Sequence, residues 1–174
     1  MGCPVISAGA QFRAIAGENT PVGRKVQEEI DSGLLAPYWF AIYLYQKALF
    51  ALPEGQSAIF DGFNRKEEEA RLVIDSLAWL NRPFSVVHLD ISDETVLARL
   101  VKRHEVDARA DDINVDQRLV EYRAYTEPAI ALFRAQNAVI DIDGEQTPEA
   151  IAAAVADALH IVLSFELLPS VQIC

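Results

Sequence analysis

Ser57-Ala58-Ile59-Phe60-Asp61-Gly62-Phe63-Asn64-Arg65 reads as a short apolar strand, Ser57–Phe60, that delivers a carboxylate, a glycine and an arginine onto the loop behind it. Three more runs have the same character: Pro4–Ile6, Ser85–Asp90 and Ala138–Ile142. Each is apolar on both faces, the pattern of strands in a sheet covered on both sides, which points to parallel pairing. Segments of helical periodicity lie between them. Ser7 is placed to cap a helix over Ala8–Ala16, Thr20-Pro21 opens one that stops at Ser32-Gly33, and Ser92 caps Asp93–Arg103. Lys66–Leu80 carries Ala70, Val73, Ile74, Leu77 and Leu80 on one face, Thr126 starts a helix reaching Ala135, and Thr147-Pro148 starts Glu149–Leu159. The alternation predicts a three-layer α/β fold, a mostly parallel sheet flanked by helices, whose ligands bind at the carboxyl ends of the strands.

A length of 174 residues with 51% hydrophobic and 24% charged side chains suits one folded domain over 1–174. Fifteen basic against 26 acidic residues leave a net charge of −11, which argues against a nucleic-acid polymer as partner but leaves room for small anions held by a local arginine cluster. The two cysteines, Cys3 and Cys174, stand at opposite ends and make neither a disulfide framework nor a metal spacing. No apolar run has the length of a membrane span, and the expectation is a cytoplasmic protein with no membrane partner. The tail 160–174 is too apolar for a solvated end, so it packs back on the body or forms an interface.

On the loop after Phe60, Asp61 is suited to hold the water shell of Mg²⁺ and Arg65 to grip a phosphate through two parallel hydrogen bonds; alternatively Asp61 caps the next helix and Arg65 sits in a surface ion pair. Arg99, Arg103, Arg109 and Arg118 form a second series. Arg99 and Arg103 share a helix face, and the set suits either a polyphosphate or a solvated face paired with neighbouring carboxylates.

Seven segments, in order, narrow these choices: Ile6–Arg13, Ser32–Pro37, Phe60–Arg65, His88–Asp93, Arg109–Asp112, Arg118–Tyr122 with Thr126–Pro128, and Ile140–Gly144. Together they resemble the adenylate kinase family of nucleoside monophosphate kinases over roughly residues 4–159. The resemblance implies a phosphotransferase that moves the γ-phosphoryl group of ATP, with Mg²⁺, to a nucleoside monophosphate, AMP being the first expectation. It implies a monophosphate-binding part at about 7–37 and 61–69, in which Ser7, Gly9, Arg13, Leu35, Gly62, Arg65 and Glu69 meet the acceptor. Asp61 would support Mg²⁺ through water. Arg103, Arg109 and Arg118 would surround the transferring phosphoryl group, with Arg99 beside Arg103 on the ATP side, and a short lid at about 104–108 would close over them.

Three departures from the family pattern stand out. The five residues before Ile6 leave no room for the family's first strand, its phosphate loop and the loop lysine, so the sheet is expected to have an open slot at its centre. A second chain or the tail, notably Ile161–Leu168, would fill that slot, and the alternative function is a catalytically impaired, nucleotide-binding or assembly protein that self-associates there. Gly17 to Lys25 does not replace the loop; it reads as a capped turn entering a helix. Asn64 stands where the family has proline, and Glu69 where adenylate kinases place a glutamine that reads adenine. An ionised carboxylate accepts but cannot donate, so a weaker preference for AMP is expected, with GMP a competitor.

Overall fold

The computed structural model describes residues 3–106, 115–165 and 171–173. The strands are β1 (Val5–Ser7), β2 (Ile59–Asp61), β3 (Ser85–Asp90), β4 (Val139–Asp143) and β5 (Val171–Ile173). They form one parallel sheet in the order β1-β2-β5-β3-β4. The helices are α1 (Ala8–Ala16), α2 (Pro21–Ser32), α3 (Tyr38–Phe50), α4 (Glu67–Trp79), α5 (Asp93–Val106), α6 (Val115–Glu121), α7 (Glu127–Ala135) and α8 (Pro148–Phe165).

The expected central slot is filled from within the chain. Residues 171–173 pair with Ile59–Asp61 on one side and with Ser85–Val87 on the other. The segment expected to do this, Ile161–Leu168, does not: its first five residues continue α8. With β5 in place, the opening that would have invited a second chain between β2 and β3 is closed.

Val86 and Val87 are consecutive, hence on opposite faces of β3, and both are buried, so the sheet is covered on both sides. On one face Val86 packs with Ala70 of α4 and with Ala129 and Phe133 of α7. Beneath β2, Phe60 and Phe63 meet Tyr45 of α3 in an aromatic cluster closed by Leu49, Val73 and Leu77.

The helix ends follow the sequence with two corrections. Thr20 accepts the amide of Gly23 at 2.9 Å and caps α2, so the Gly17–Lys25 stretch is a capped turn. Ser92 and Thr147 receive the amides of Thr95 and Ala150 at the starts of α5 and α8. Ser7, however, makes no side-chain cap, because it is the last residue of β1 and α1 follows without a loop. Thr126 starts nothing either: it lies inside a helical run in which one π turn, Tyr122–Thr126, joins α6 to α7. Helix α3 has no counterpart in the sequence reading, since it is apolar around most of its circumference, with Tyr45 and Leu49 buried and Trp39, Tyr43 and Phe50 exposed.

Candidate functional site

Ser7 and Asp61 are register partners at the carboxyl ends of β1 and β2, so two chain exits stand side by side at one rim of the sheet. Behind each exit an arginine folds back over a glycine. In α1, Gly9 and Arg13 are one turn apart, and a Cβ on Gly9 would lie 3.0 Å from Nη1 of Arg13. After β2 the chain turns through Gly62 at φ +72, a left-handed conformation that favours glycine, and a Cβ there would lie 3.0 Å from Nη2 of Arg65. Arg65 donates its Nε–H to the Gly62 carbonyl at 3.0 Å, which fixes the guanidinium above the strand end.

These groups open into one cleft of about 830 Å³. Ser7, Gly9, Arg13, Leu35, Asp61, Gly62, Arg65, Glu69 and Arg118 of α6 all line it. Val26, Ile30, Leu34 and Leu35 add an apolar wall. The segment between α2 and α3 is tied down from two sides: Leu35 donates its amide to Glu121 at 3.3 Å, and Lys66 donates to the Ala36 carbonyl at 3.0 Å.

Glu69, 3% exposed, is the third residue of α4 and reaches back to accept the Arg65 amide at 2.8 Å. That is the position of a capping-box carboxylate, here reaching the amide one residue before the N-cap Lys66. Burial pushes its carboxyl up to about 7, against the opposing pull of the Arg65 and Lys66 amides. The same burial effect raises Glu29 on α2 from its ordinary value, with Lys66 opposing it.

Not every predicted residue joins this cleft. Arg99 does not line it; its guanidinium donates to the carbonyls of Gly144 at 2.6 Å and Gln146 at 3.0 Å, pinning the loop behind β4. Arg103 lies on α5, which runs on to Val106, so the first part of the expected lid is helix, while the Arg103 side chain is outside the described part. Arg109 and the end of that lid lie outside the described residues.

Several cleft residues escaped the sequence reading. Arg123 pairs with Asp93, and Arg134 makes a two-pronged pair with Asp141 at 2.5 and 2.6 Å. Asp141 also meets Nδ1 of His88 at 2.8 Å, while Nε2 of His88 meets the Tyr122 hydroxyl at 2.9 Å. The Arg134 hydrogen bond, helped by His88, brings the Asp141 carboxyl down to about 2. Only register makes this array visible: His88 and Asp141 are partners across β3 and β4, far apart in sequence.

Two fixed guanidinium groups at adjacent strand ends suit a dianionic phosphate monoester, and the apolar wall beside them suits a flat ring. Comparison with known proteins agrees with that chemistry. The family model described as adenylate kinase matches residues 1–138. The chain belongs to the adenylate kinase family. It is 35% identical to the adenylate kinase of a Cyanothece species over 162 residues, covering 91% of this chain and 82% of that protein. It is 33% identical to the enzyme of Maricaulis maris, covering 89% and 84%, and 29% identical to that of Thermus thermophilus, covering 92% and 86%. The family resemblance read from the sequence motifs is thereby confirmed, and kinase, transferase and nucleotide binding follow at the level of the family.

Proposed function

We propose that this chain transfers the γ-phosphoryl group of ATP to a nucleoside monophosphate, with AMP as the principal acceptor, as a cytoplasmic enzyme of nucleotide interconversion. The observation that supports this reading most is the convergence of Arg13, Asp61 and Arg65 at the paired ends of β1 and β2. Arg13 and Arg65 hold the acceptor phosphate, each preset by its glycine, so little side-chain freedom is lost on binding. The parts at 7–37 and 61–69 form the acceptor site within a single domain, and Ser7 and Gly9 bound the phosphate on the β1 side. Arg118, with Arg103 and Arg109, offsets the charge of the phosphates from the lid side; Arg123 and Arg134 line the same cleft.

Among the described residues no cluster of three or more His, Cys, Asp and Glu side chains could cage a metal ion. Asp61 at β2 and Asp90 at β3 both line the cleft and would receive the water shell of a Mg²⁺ that arrives on the donor's phosphates. The ion would draw charge from the phosphoryl oxygens. No helix among the described residues is long and apolar enough to cross a membrane.

A coupled assay with ATP, Mg²⁺ and AMP tests the reading. Turnover that falls by about 10²-fold or more in kcat/KM for AMP in Arg65→Ala supports it. Tight monophosphate binding with no turnover would instead favour the non-catalytic alternative.

A further inference from the structure

Among the described residues two buried polar side chains line the cleft, Glu69 and Thr126, and of the two Glu69 is the ionisable one. Lys66, three residues earlier, bonds to Ala36 next to Leu34 and Leu35, so the first turn of α4 is drawn against the wall that suits a flat ring. A ring lying there with its phosphate between Arg13 and Arg65 would turn an edge toward the Glu69 carboxyl. Oε2 is engaged by the Arg65 amide.

Resting on the proposed phosphotransfer to a monophosphate, we propose that Glu69 selects the purine by its protonation state, taking adenine as the neutral acid and guanine as the carboxylate. The two purines differ at N1, where adenine has a lone pair and guanine an N–H. A neutral carboxyl donates its O–H to the adenine N1, and its carbonyl oxygen accepts from the exocyclic amine. An ionised carboxylate accepts from the N1–H and N2–H groups of guanine but sets a lone pair against adenine N1. In a dry pocket the mismatched pair leaves buried polar groups unpaired, which is where hydrogen-bond discrimination is strongest.

The surroundings make the neutral form accessible near neutral pH. Among the described residues no ion pair reaches Glu69: Arg65 is turned to Gly62, and the Lys66 ammonium lies on Ala36 and over the Tyr125 ring. Those two cations, through their charges and amides, are what favour ionisation. The other charged groups lining the cleft are of both signs, the carboxylates Glu29 from α2, Asp61 from β2, Asp90 from β3, Asp93 from α5, Glu121 from α6 and Glu127 from α7 against Arg13 from α1, Arg118 from α6 and Arg123 between α6 and α7, and burial is what favours the proton on Glu69. On α3, Lys47 stands over the Tyr43 ring on the exposed side. Arg134 of α7 is neutralised by Asp141. Burial raises the carboxyl to about 7, which puts the exchange of form inside the working range.

The test is calorimetric titration of the intact chain with AMP and with GMP between about pH 5.5 and about pH 8.5. The phosphate titrates alike in both ligands and cancels from the affinity ratio. We expect the AMP to GMP ratio to fall by about tenfold or more across that span. Glu69→Gln, which donates and accepts at every pH, should prefer AMP throughout. A ratio independent of pH in the wild-type chain, or one that shifts equally in Glu69→Gln, overturns the proposal while leaving phosphotransfer intact, provided Arg65→Ala still abolishes binding. Failure of both nucleotides to bind, or binding indifferent to Arg65→Ala, overturns the site reading and this proposal together.

Discussion

Arg65 and Gly62 close a ring of their own at the end of β2, the Nε–H of the arginine donating to the glycine carbonyl at 3.0 Å while the guanidinium covers the place where a Cβ would stand. The left-handed φ of +72 makes that approach possible. Gly62→Ala therefore has two consequences. The backbone strain costs about 1 kcal/mol of stability, and the new methyl, 3.0 Å from Nη2, displaces the charge that holds the phosphate. A drop of a few degrees in Tm accompanied by a KM for AMP raised about tenfold is the expected pair of results. A variant that loses stability but keeps its KM would show that Arg65 does not need this perch.

Gly9 isolates the second effect. It lies in α1 with an ordinary helical backbone, so Gly9→Ala gains helix propensity, about 1 kcal/mol at most, while its methyl crowds Nη1 of Arg13 at 3.0 Å. Thermal stability equal to or above that of the parent, together with weaker binding of AMP by calorimetry, is expected. Unchanged affinity would separate Arg13 from the acceptor phosphate.

How much of this was legible in the sequence depends on the range of the interaction. Four of the five strands are legible to within one or two residues at each end, Ser85–Asp90 without error, because burial on both faces writes a continuous apolar run. Thr20, Ser92 and Thr147 were readable as caps since a cap is a contact three residues long. Arg13, Asp61 and Arg65 could be brought together only through the family's order of motifs; nothing local says that Ser7 and Asp61 are neighbours. Helix α3 gave no period because both sides of it are apolar. β5 was hidden for a different reason. A three-residue strand is shorter than any periodicity, and its place is set by partners more than eighty residues away on β3 and over a hundred away on β2. The His88–Asp141–Arg134 array is equally non-local, and Glu69 was read as a base contact without its role in holding the Arg65 amide.

The position of β5 makes the sheet sensitive to proline there. Gln172 is the middle residue of that strand, opposite Phe60 on β2 and Val86 on β3. Proline removes the ladder donor and has no place in a central strand, so Gln172→Pro should cost about 2 kcal/mol or more in urea denaturation. Val5→Pro falls on β1, the edge of the sheet, where Val5 is 65% exposed, and should cost less. Equal and small losses in the two variants would mean that β5 does not carry the centre of the sheet.

Asn64 is 2% exposed, its φ is +59, and its side-chain Nδ2 has no hydrogen-bond partner among the described residues. A proline at this position, as in the resembled family pattern, would be locked near φ −65 and could not follow this backbone. Asn64→Pro is expected to lose about 3 kcal/mol and to weaken AMP binding by shifting Arg65. Asn64→Gly suits the left-handed backbone and removes the orphan donor, so it should lie within about 1 kcal/mol of the parent. Asn64→Pro matching the parent in stability would show that the loop adopts a second backbone path.

The raised carboxyl of Glu69 also predicts the pH dependence of stability itself. Its ordinary value is 4.5, the value for the unfolded chain, and in the folded chain it is about 7. Below pH 4.5 both states carry the proton and the group adds no slope. Between 4.5 and 7 the unfolded chain has released its proton while the folded chain still holds it, so the folded state binds more protons and its stability falls as pH rises. Above about 7 the slope from this group ends, with a loss on the order of 3 kcal/mol accumulated across the window. Glu29, raised by burial, acts in the same direction to a smaller extent, whereas Asp141, held down to about 2 by Arg134, makes stability fall only when the solution is acidified below the ordinary carboxylate range. Urea denaturation at about pH 5 and about pH 8 should show the wild-type midpoint lower at the higher pH, and Glu69→Gln should remove most of that difference because its amide keeps the hydrogen bond to Arg65 without a proton to lose. A wild-type midpoint that rises between those two values, or a fall that survives unchanged in Glu69→Gln, would show that the carboxyl at position 69 is ionised in the folded protein throughout.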